Sequence, residues 1–473
     1  MSLASSIRRN SVFSFLSSAI RLFANILMFI GIARFYGPEV FGQFTTAHTL
    51  ATVFLLFADF GLDIMLTTEI ARNRSNATEL FQRFFSIKLV VVLLAIIGMW
   101  IVPLVQQISG TTRWLLYIFS FYIAFTAITN FYFALFKGFE QLHHETKVSF
   151  INNLILLCAL VIMGIIGVSI YIVALVFVGV RAIGLLTSYR IASRLLPDQS
   201  FRFNFKGWKE DRNQIIIFGL HLLFGNLYFV LDTILLAFWR GDHDVGIYQS
   251  AFRLISICFV IPEMIVNALM PVLSRFHGEN QKNWDRIGKL MNKTLFFIGL
   301  PVALIFVIYA DQIIYLVYGI KAFSEAIPIL RIFGIIILIR FATETYALML
   351  TTSLRQKKRM LVVFVATIFN YVLNLYAIPK YGPQGAALVS LATNILVGSG
   401  YIIASRLNRR MFIQWIIDPR CVIMTILTGI ISFLLWEIRS FSIVYICPIV
   451  IIIYSLTIYF LGYTKDERIL LFK

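Results

Sequence analysis

Apolar residues run through this chain in long unbroken stretches rather than alternating with polar ones. Fourteen such stretches stand out, at approximately 11–33, 41–62, 84–106, 114–136, 148–167, 170–191, 214–238, 246–268, 294–316, 328–352, 360–379, 384–405, 415–436 and 441–461. A helix needs about 20 predominantly apolar residues to cross the hydrocarbon core of a bilayer, so each stretch predicts one span. Barrel strands would appear as alternating segments of about 10 residues. Runs such as Ile335 to Ile339 and Ile449 to Ile453 exclude them. The expected fold is an all-α polytopic membrane protein. The fifth and sixth spans share a very short connection at Gly167 to Ser169.

Composition agrees: 59% of the 473 residues are hydrophobic and 14% charged, with a mean hydropathy of +0.85. A soluble chain would carry about 25% charged residues. The net charge of +18 has its simplest source in basic cytoplasmic loops. With no soluble domain to carry it, nucleic-acid binding is not expected. Alternating the spans from an inside N-terminus puts 29 Lys and Arg in inside segments and 6 in outside loops. Both termini are therefore expected in the cytoplasm. Arg8-Arg9 followed by an apolar stretch resembles a signal peptide. Arg21 interrupts that stretch, no cleavage site follows, and a retained first span is expected. Cys158, Cys258, Cys421 and Cys447 each sit in an apolar run without CxxC spacing and read as free, buried, small hydrophobes.

The chain repeats itself weakly. Phe41-Gly42-Gln43-Phe44 has a partner in Val245-Gly246-Ile247-Tyr248, Ala192-Ser193-Arg194 in Ala404-Ser405-Arg406, and Asn152 in Asn370, at offsets of about 204 to 218. Two six-span bundles are expected, at 1–205 and 206–410, with two extra spans and a cytoplasmic tail at 411–473. Six spans is an even number, so the bundles share one orientation, an architecture that puts a transport site between them.

Ionisable residues within a bilayer are functional candidates by default. At about 100° per residue, Ser14, Ser17, Arg21 and Asn25 share one face of the first span. Thr45, His48, Thr52 and Asp59 do so on the second, His221, Gly225, Tyr228 and Asp232 on the seventh, and Gln249, Arg253, Ser256, Glu263 and Asn267 on the eighth. The stripes thus fall on the first two spans of each bundle and predict a hydrated cavity lined by spans 1, 2, 7 and 8. Arg21, Asn25, His48, Arg253 and Arg340 are its candidate substrate-binding residues, because a guanidinium fork matches phosphate oxygens. Asp59, Asp232, Glu263 and Glu344 are candidate proton or sodium sites. Structural pairings of Asp232 with Arg253, and of Arg340 with Glu344, are equally open. Lys88 and Arg331 lie within a turn of a span end and are expected to snorkel. Arg181 lies near mid-span, as a cavity cation or an inter-helix strut.

Other signals are set aside. Asp242-His243-Asp244 has the spacing of a metal-binding DxD but falls in a short outside loop, where a turn explains it. His143-His144 lies in a cytoplasmic loop with Glu140 and Glu145. Neither a Walker-type glycine loop nor a Ser/His/Asp arrangement is discernible, so no catalytic residue, metal or cofactor is expected.

The run Ala33-Arg34-Phe35-Tyr36-Gly37-Pro38-Glu39-Val40-Phe41-Gly42, then Ala58-Asp59-Phe60-Gly61-Leu62 and Glu69-Ile70-Ala71-Arg72, resembles the polysaccharide-biosynthesis flippases. These include the O-antigen flippases called Wzx, in the superfamily of the MATE exporters and lipid II flippases. Asp232 with Val245 to Tyr248, Pro271 to Arg275, and Pro379-Lys380-Tyr381-Gly382 with Gly385-Ala386-Ala387 extend the resemblance over most of the chain. It implies two six-helix bundles in a V and alternating access. The implied cargo is an oligosaccharide on undecaprenyl diphosphate, moved to the periplasmic leaflet of a bacterial inner membrane with possible coupling to H+ or Na+. Membrane lipids and the polymerase and chain-length proteins of the pathway are the implied partners. Arginines on the first and eighth spans line the cavity in the lipid II branch, and Arg21 and Arg253 occupy matching spans. The second-span arginine of that branch has no counterpart here, the stripe offering His48 instead, which argues against lipid II as cargo. A MATE-like cation antiporter would need an acidic, aromatic cavity. A membrane enzyme such as a polymerase would need a large outside loop. A scaffold would leave the polar stripes unexplained.

Overall fold

A computed structural model describes residues 3–106, 108, 110–196, 203–204, 215, 219, 230–319, 321–405, 419, 423, 426–427, 430–431, 434, 437, 454, 462–463 and 467, with side chains from residue 24 onward. Most of the seventh predicted span and nearly all of the thirteenth and fourteenth lie outside these residues, as do His221, Gly225 and Tyr228. The described chain is helical: α1 (Leu3–Asp59), α2 (Leu62–Arg72), α3 (Ala77–Val105), α4 (Gly110–Gly138), α5 (Leu142–Ile166) and α6 (Ile170–Leu195). A short α7 (Val230–Trp239) follows. Then come α8 (Asp242–Cys258), α9 (Val260–Glu279), α10 (Gln281–Ile308), α11 (Ala310–Tyr318), α12 (Ala326–Thr352) and α13 (Gln356–Ser405). Among the described residues, nine helical stretches are long and apolar enough to cross a membrane.

Two of these stretches are hairpins. A straight α1 of 57 residues would run about 85 Å, nearly three times the hydrocarbon thickness. The rings of Phe29 and His48 nevertheless lie 5.0 Å apart, where a straight helix would separate them by about 28 Å. The fold-back is at Gly37, whose φ of 78° belongs to the region that favours glycine. Pro38 follows, where its fixed φ starts the second arm. In α13, the same tripeptide, Tyr381-Gly382-Pro383, turns the chain at a φ of 57°. Asn370 and Thr393, 23 residues apart, meet there at 3.4 Å. Predicted spans 1 and 2 are thus the arms of α1, and spans 11 and 12 the arms of α13.

Two compact units divide the chain, Met1–Gln249 and Ser250–Lys473, with the boundary inside α8. In the first, α1 packs on α3, α4 and α5, and α4 packs on α2, α3 and α6. The core there is aromatic: Phe81 stacks on Phe85 at 5.3 Å and on Tyr132 at 5.8 Å. Outward faces carry exposed residues such as Leu93, Leu94, Ile97 and Ile101, as a lipid-facing surface does. In the second unit, α12 is central and packs against α9, α10, α11 and α13.

Similar local backbone patterns occur at two pairs of positions. Glu140 (φ 60°) and Leu354 (φ 59°) are both left-handed and sit in turns with one hydrogen-bond pattern. The Glu140 N–H donates to the Lys137 carbonyl and Gln141 to Phe136. Leu354 donates to Thr351 and Arg355 to Leu350. Asn73 and Asn280 end α2 and α9 with near-identical dihedrals, φ −140°, ψ 82° and φ −147°, ψ 82°.

Two span boundaries differ from the sequence reading. The eighth stretch breaks at Phe259 and its helix continues to Glu279. The ninth begins at Gln281, and the chain bends at Tyr309 (φ −102°, ψ 21°) before α11. The helices on either side of each bend are apolar where they meet, so the hydropathy run reads straight across it.

Candidate functional site

The second arm of α1 and the start of α8 cross on glycines. A Cβ at Gly42 would collide with the Asp242 carbonyl oxygen, and one at Gly246 with the Pro38 carbonyl oxygen. The contact is reciprocal at one offset: Pro38 to Asp242 and Gly42 to Gly246 are both 204 residues apart. The Asp242 carboxylate accepts hydrogen bonds from Thr46 at 3.0 Å and Thr112 at 2.6 Å, and Arg240 pairs with Asp244 at 2.8 Å. These bonds account for Asp242-His243-Asp244 as a helix start. No group of three ligating side chains able to hold a metal occurs among the described residues.

The polar stripe on α1 leads away from this crossing. Asn25 is half-buried and its Oδ1 accepts no hydrogen bond among the described residues. A buried amide oxygen of this kind is matched to a hydroxyl or N–H donor. His48 is half-buried among aromatic rings, 5.8 Å from Phe119, 5.5 Å from Tyr122 and 5.8 Å from Phe177. Arg181 lies against the same stacked Tyr122–Phe177 pair, its guanidinium 5.1 Å from the Phe177 centroid and 5.9 Å from Tyr122. This aromatic box was not legible from helical phase, because it joins α1, α4 and α6. The side chain of Arg21 lies outside the described residues.

Asp232 on α7 is 6% exposed and accepts a hydrogen bond from the Tyr248 hydroxyl at 2.8 Å. Tyr248→Phe removes that donor from the carboxylate. A hydrogen bond to a charged group contributes about 1.5–3 kcal/mol, so a lower Tm is expected in detergent-solubilised protein. Asp232→Asn, which keeps an acceptor oxygen, should lower it less.

In the second unit the stripe of α8 and α9 grades from buried to exposed. Arg253 and Ser256 are half-buried, while Glu263 and Asn267 are exposed. Tyr318, whose hydroxyl donates to the Ser250 carbonyl at 2.7 Å, lies within electrostatic reach of Arg253. Arg340 stacks over Phe259, at the break between α8 and α9, with its guanidinium carbon 4.3 Å from the ring centroid. Tyr401 lies within electrostatic reach of both Arg340 and Glu344. On α13, Asn374 donates to Asn370 at 3.0 Å, and Asn370 to Thr393. A guanidinium held over a ring keeps several N–H donors for other partners, the chemistry that holds phosphate or carboxylate oxygens.

Lys88 overturns the snorkelling expectation. Its side chain is 0% exposed and its ammonium bridges two carboxylates, Asp63 at 2.8 Å and Asp59 at 3.1 Å. Asp59 ends α1 and Asp63 opens α2, across a break at Phe60 (φ 43°) and Gly61 (φ 84°). Asp59 also accepts the Asp63 N–H at 3.2 Å. Helical phase within the second span cannot reach Asp63, which lies beyond that break, and so misses this site.

Comparison with known proteins follows the same lines. The family described as Polysaccharide biosynthesis protein matches residues 7–277, and the MatE family matches residues 218–376. A Shigella flexneri protein named as an O-antigen transporter is 23% identical over 446 residues, covering 88% of this chain and 99% of that protein. A Haloferax volcanii protein named as a flippase, AglR, is 27% identical over 187 residues, and the match spans 38% of this chain and 37% of that protein. Among solved structures, the inward closed lipid II flippase MurJ superposes with a TM-score of 0.70 at 16% identity, covering 93% of this chain and 99% of MurJ. An inward-facing MATE multidrug transporter does so at 0.64 and 15% identity, covering 83% and 96%. The fold is that of these multi-pass membrane transporters.

Proposed function

We propose, because this chain belongs to the polysaccharide biosynthesis protein family, that it is a flippase for an undecaprenyl-diphosphate-linked oligosaccharide, an O-antigen unit or similar. It carries the unit from the cytoplasmic to the periplasmic leaflet of a bacterial inner membrane, with both termini in the cytoplasm. The observation that carries this reading is the set of half-exposed arginines within the helices of a transporter fold: Arg181, Arg253 and Arg340. Moving a diphosphate-sugar headgroup through hydrocarbon would strip it of water, at several kcal/mol per polar group. A hydrated path lined by guanidinium groups replaces that water and fits phosphate oxygens bidentately. The bundles 1–205 and 206–410 are the moving parts, 411–473 adds two further spans, and the lipid tail stays in the bilayer. Arg21, Asn25 and His48 complete the headgroup site. Coupling to H+ or Na+ runs through carboxylates among Asp59, Asp232, Glu263 and Glu344. The polymerase and chain-length proteins of the same pathway receive the product. The protein transports and catalyses no bond change.

Deleting the gene is expected to strand intact lipid-linked units on the cytoplasmic leaflet, read by protection from a membrane-impermeant sugar oxidant in sealed spheroplasts. Wild type restores transfer. Arg253→Ala and Arg340→Ala, at equal expression, restore less than about a tenth of it, the loss of one charge-assisted hydrogen bond. A deletion that blocks assembly of the unit would make the protein an enzyme of the pathway instead.

A further inference from the structure

The charges of the buried triad at the end of the second span do not balance. Lys88 from α3 carries one positive charge, and Asp59 from α1 and Asp63 from α2 carry two negative ones. Among the described residues, these are the charged groups that face one another at this site. Helix α4 contributes the Phe131 ring, 5.8 Å from the ammonium, and the Ala134 carbonyl, which accepts from Thr67, while Gly219 lies against Phe60 and Ile215 packs in the same apolar cluster as Leu62. Lys88 is wholly enclosed, while the two carboxylates keep 23% and 18% exposure. An uncompensated charge in such surroundings is unfavourable, and a carboxylate relieves it by taking a proton.

We propose that Asp59, Asp63 and Lys88 form a binding site for a single proton, shared by the two carboxylates and held in place by the ammonium. A metal cation fits less well. The ammonium already occupies the position between the carboxylates where sodium would sit, on Oδ1 of both. A proton needs only one of the remaining oxygen lone pairs. In the protonated form the triad is neutral. In the ionised form it carries one net negative charge and is stable only where water reaches the carboxylates. Proton occupancy is therefore linked to the hydration of the break at Phe60-Gly61. If the chain is a transporter oriented as proposed, the site lies at the cytoplasmic end of its span, where a proton moving down its gradient would be released. That role rests on the transport reading; proton binding itself does not.

The test needs no cargo. Full-length protein in lipid nanodiscs is titrated between about pH 5 and pH 9. The infrared carbonyl band of a protonated carboxyl group is followed. Wild type should show a carboxyl band that titrates within this window and disappears in both Asp59→Asn and Asp63→Asn. Both variants should fold, because each mimics the neutral triad; their melting curves check this. Raising sodium at constant ionic strength should not displace the band. Absence of a titrating band that depends on these two residues would overturn the proposal, whatever the transport assay shows. A band that sodium removes would overturn the choice of proton. Conversely, failure of the leaflet assay with this band intact would remove the transport reading and leave the proton site standing.

Discussion

Lys88→Met should be the most destabilising single substitution in the first unit. The methionine fills much of the same volume but leaves Asp59 and Asp63 facing one another without the ammonium between them. Breaking a buried ion pair by removing one partner costs about 3–5 kcal/mol, because the surviving charge stays buried. In this triad two carboxylates survive. Chemical denaturation in mixed micelles should show the loss as an earlier transition. The triple variant Lys88→Met, Asp59→Asn, Asp63→Asn should recover most of it, since no charge is then stranded. If Lys88→Met alone is neutral, the triad contributes little and the lysine is held by packing.

The second large effect is expected at the glycine crossing. Gly42→Val and Gly246→Val place a branched side chain against a backbone carbonyl, of Asp242 and Pro38 respectively. Backbone oxygens cannot rotate away as a flexible side chain can, so the helices must part. Overpacking of this kind costs about 1–3 kcal/mol and occasionally more. Separating the helices would also strain the bonds from Thr46 and Thr112 to Asp242. Both variants should reach the membrane yet fail to support polysaccharide export in a deletion strain. Because the contact is reciprocal, the two should fail to similar extents. A strong effect at one position and none at the other would mean that the crossing is not a repeat-related element.

How much of the molecule is legible in its sequence follows from what each signal measures. Apolar run length finds helices, because the hydrocarbon core sets a minimum length. It does not find bends between two apolar helices, as at Tyr309 and Phe259. The Tyr-Gly-Pro turns at 36–38 and 381–383 are visible as loop residues, and their left-handed glycines explain why α1 and α13 fold back there. Helical phase places Thr45, His48 and Asp59 on one face. It cannot show that His48 meets Tyr122 and Phe177 from two other helices, since phase carries no information between helices. Lys88 is misread for the same reason. Its distance from the span end suggests snorkelling, whereas its acidic partners sit on other helices, one of them beyond the end of the second apolar run. The repeat is readable from short matches such as Phe41-Gly42 with Val245-Gly246. That Gly42 and Gly246 meet at a crossing where neither helix tolerates a Cβ emerges only in three dimensions.

The measurement that bears most directly on the central claim is leaflet exchange by the purified protein. Vesicles are prepared with a labelled undecaprenyl-diphosphate oligosaccharide in both leaflets, and a membrane-impermeant sugar oxidant is added outside. Vesicles containing the wild-type chain should lose nearly all label. Vesicles with no protein, or with Arg253→Ala and Arg340→Ala combined, should lose only the outer half. Protection of the inner half by the wild-type chain under an imposed ion gradient, as well as without one, would contradict the assignment as a flippase.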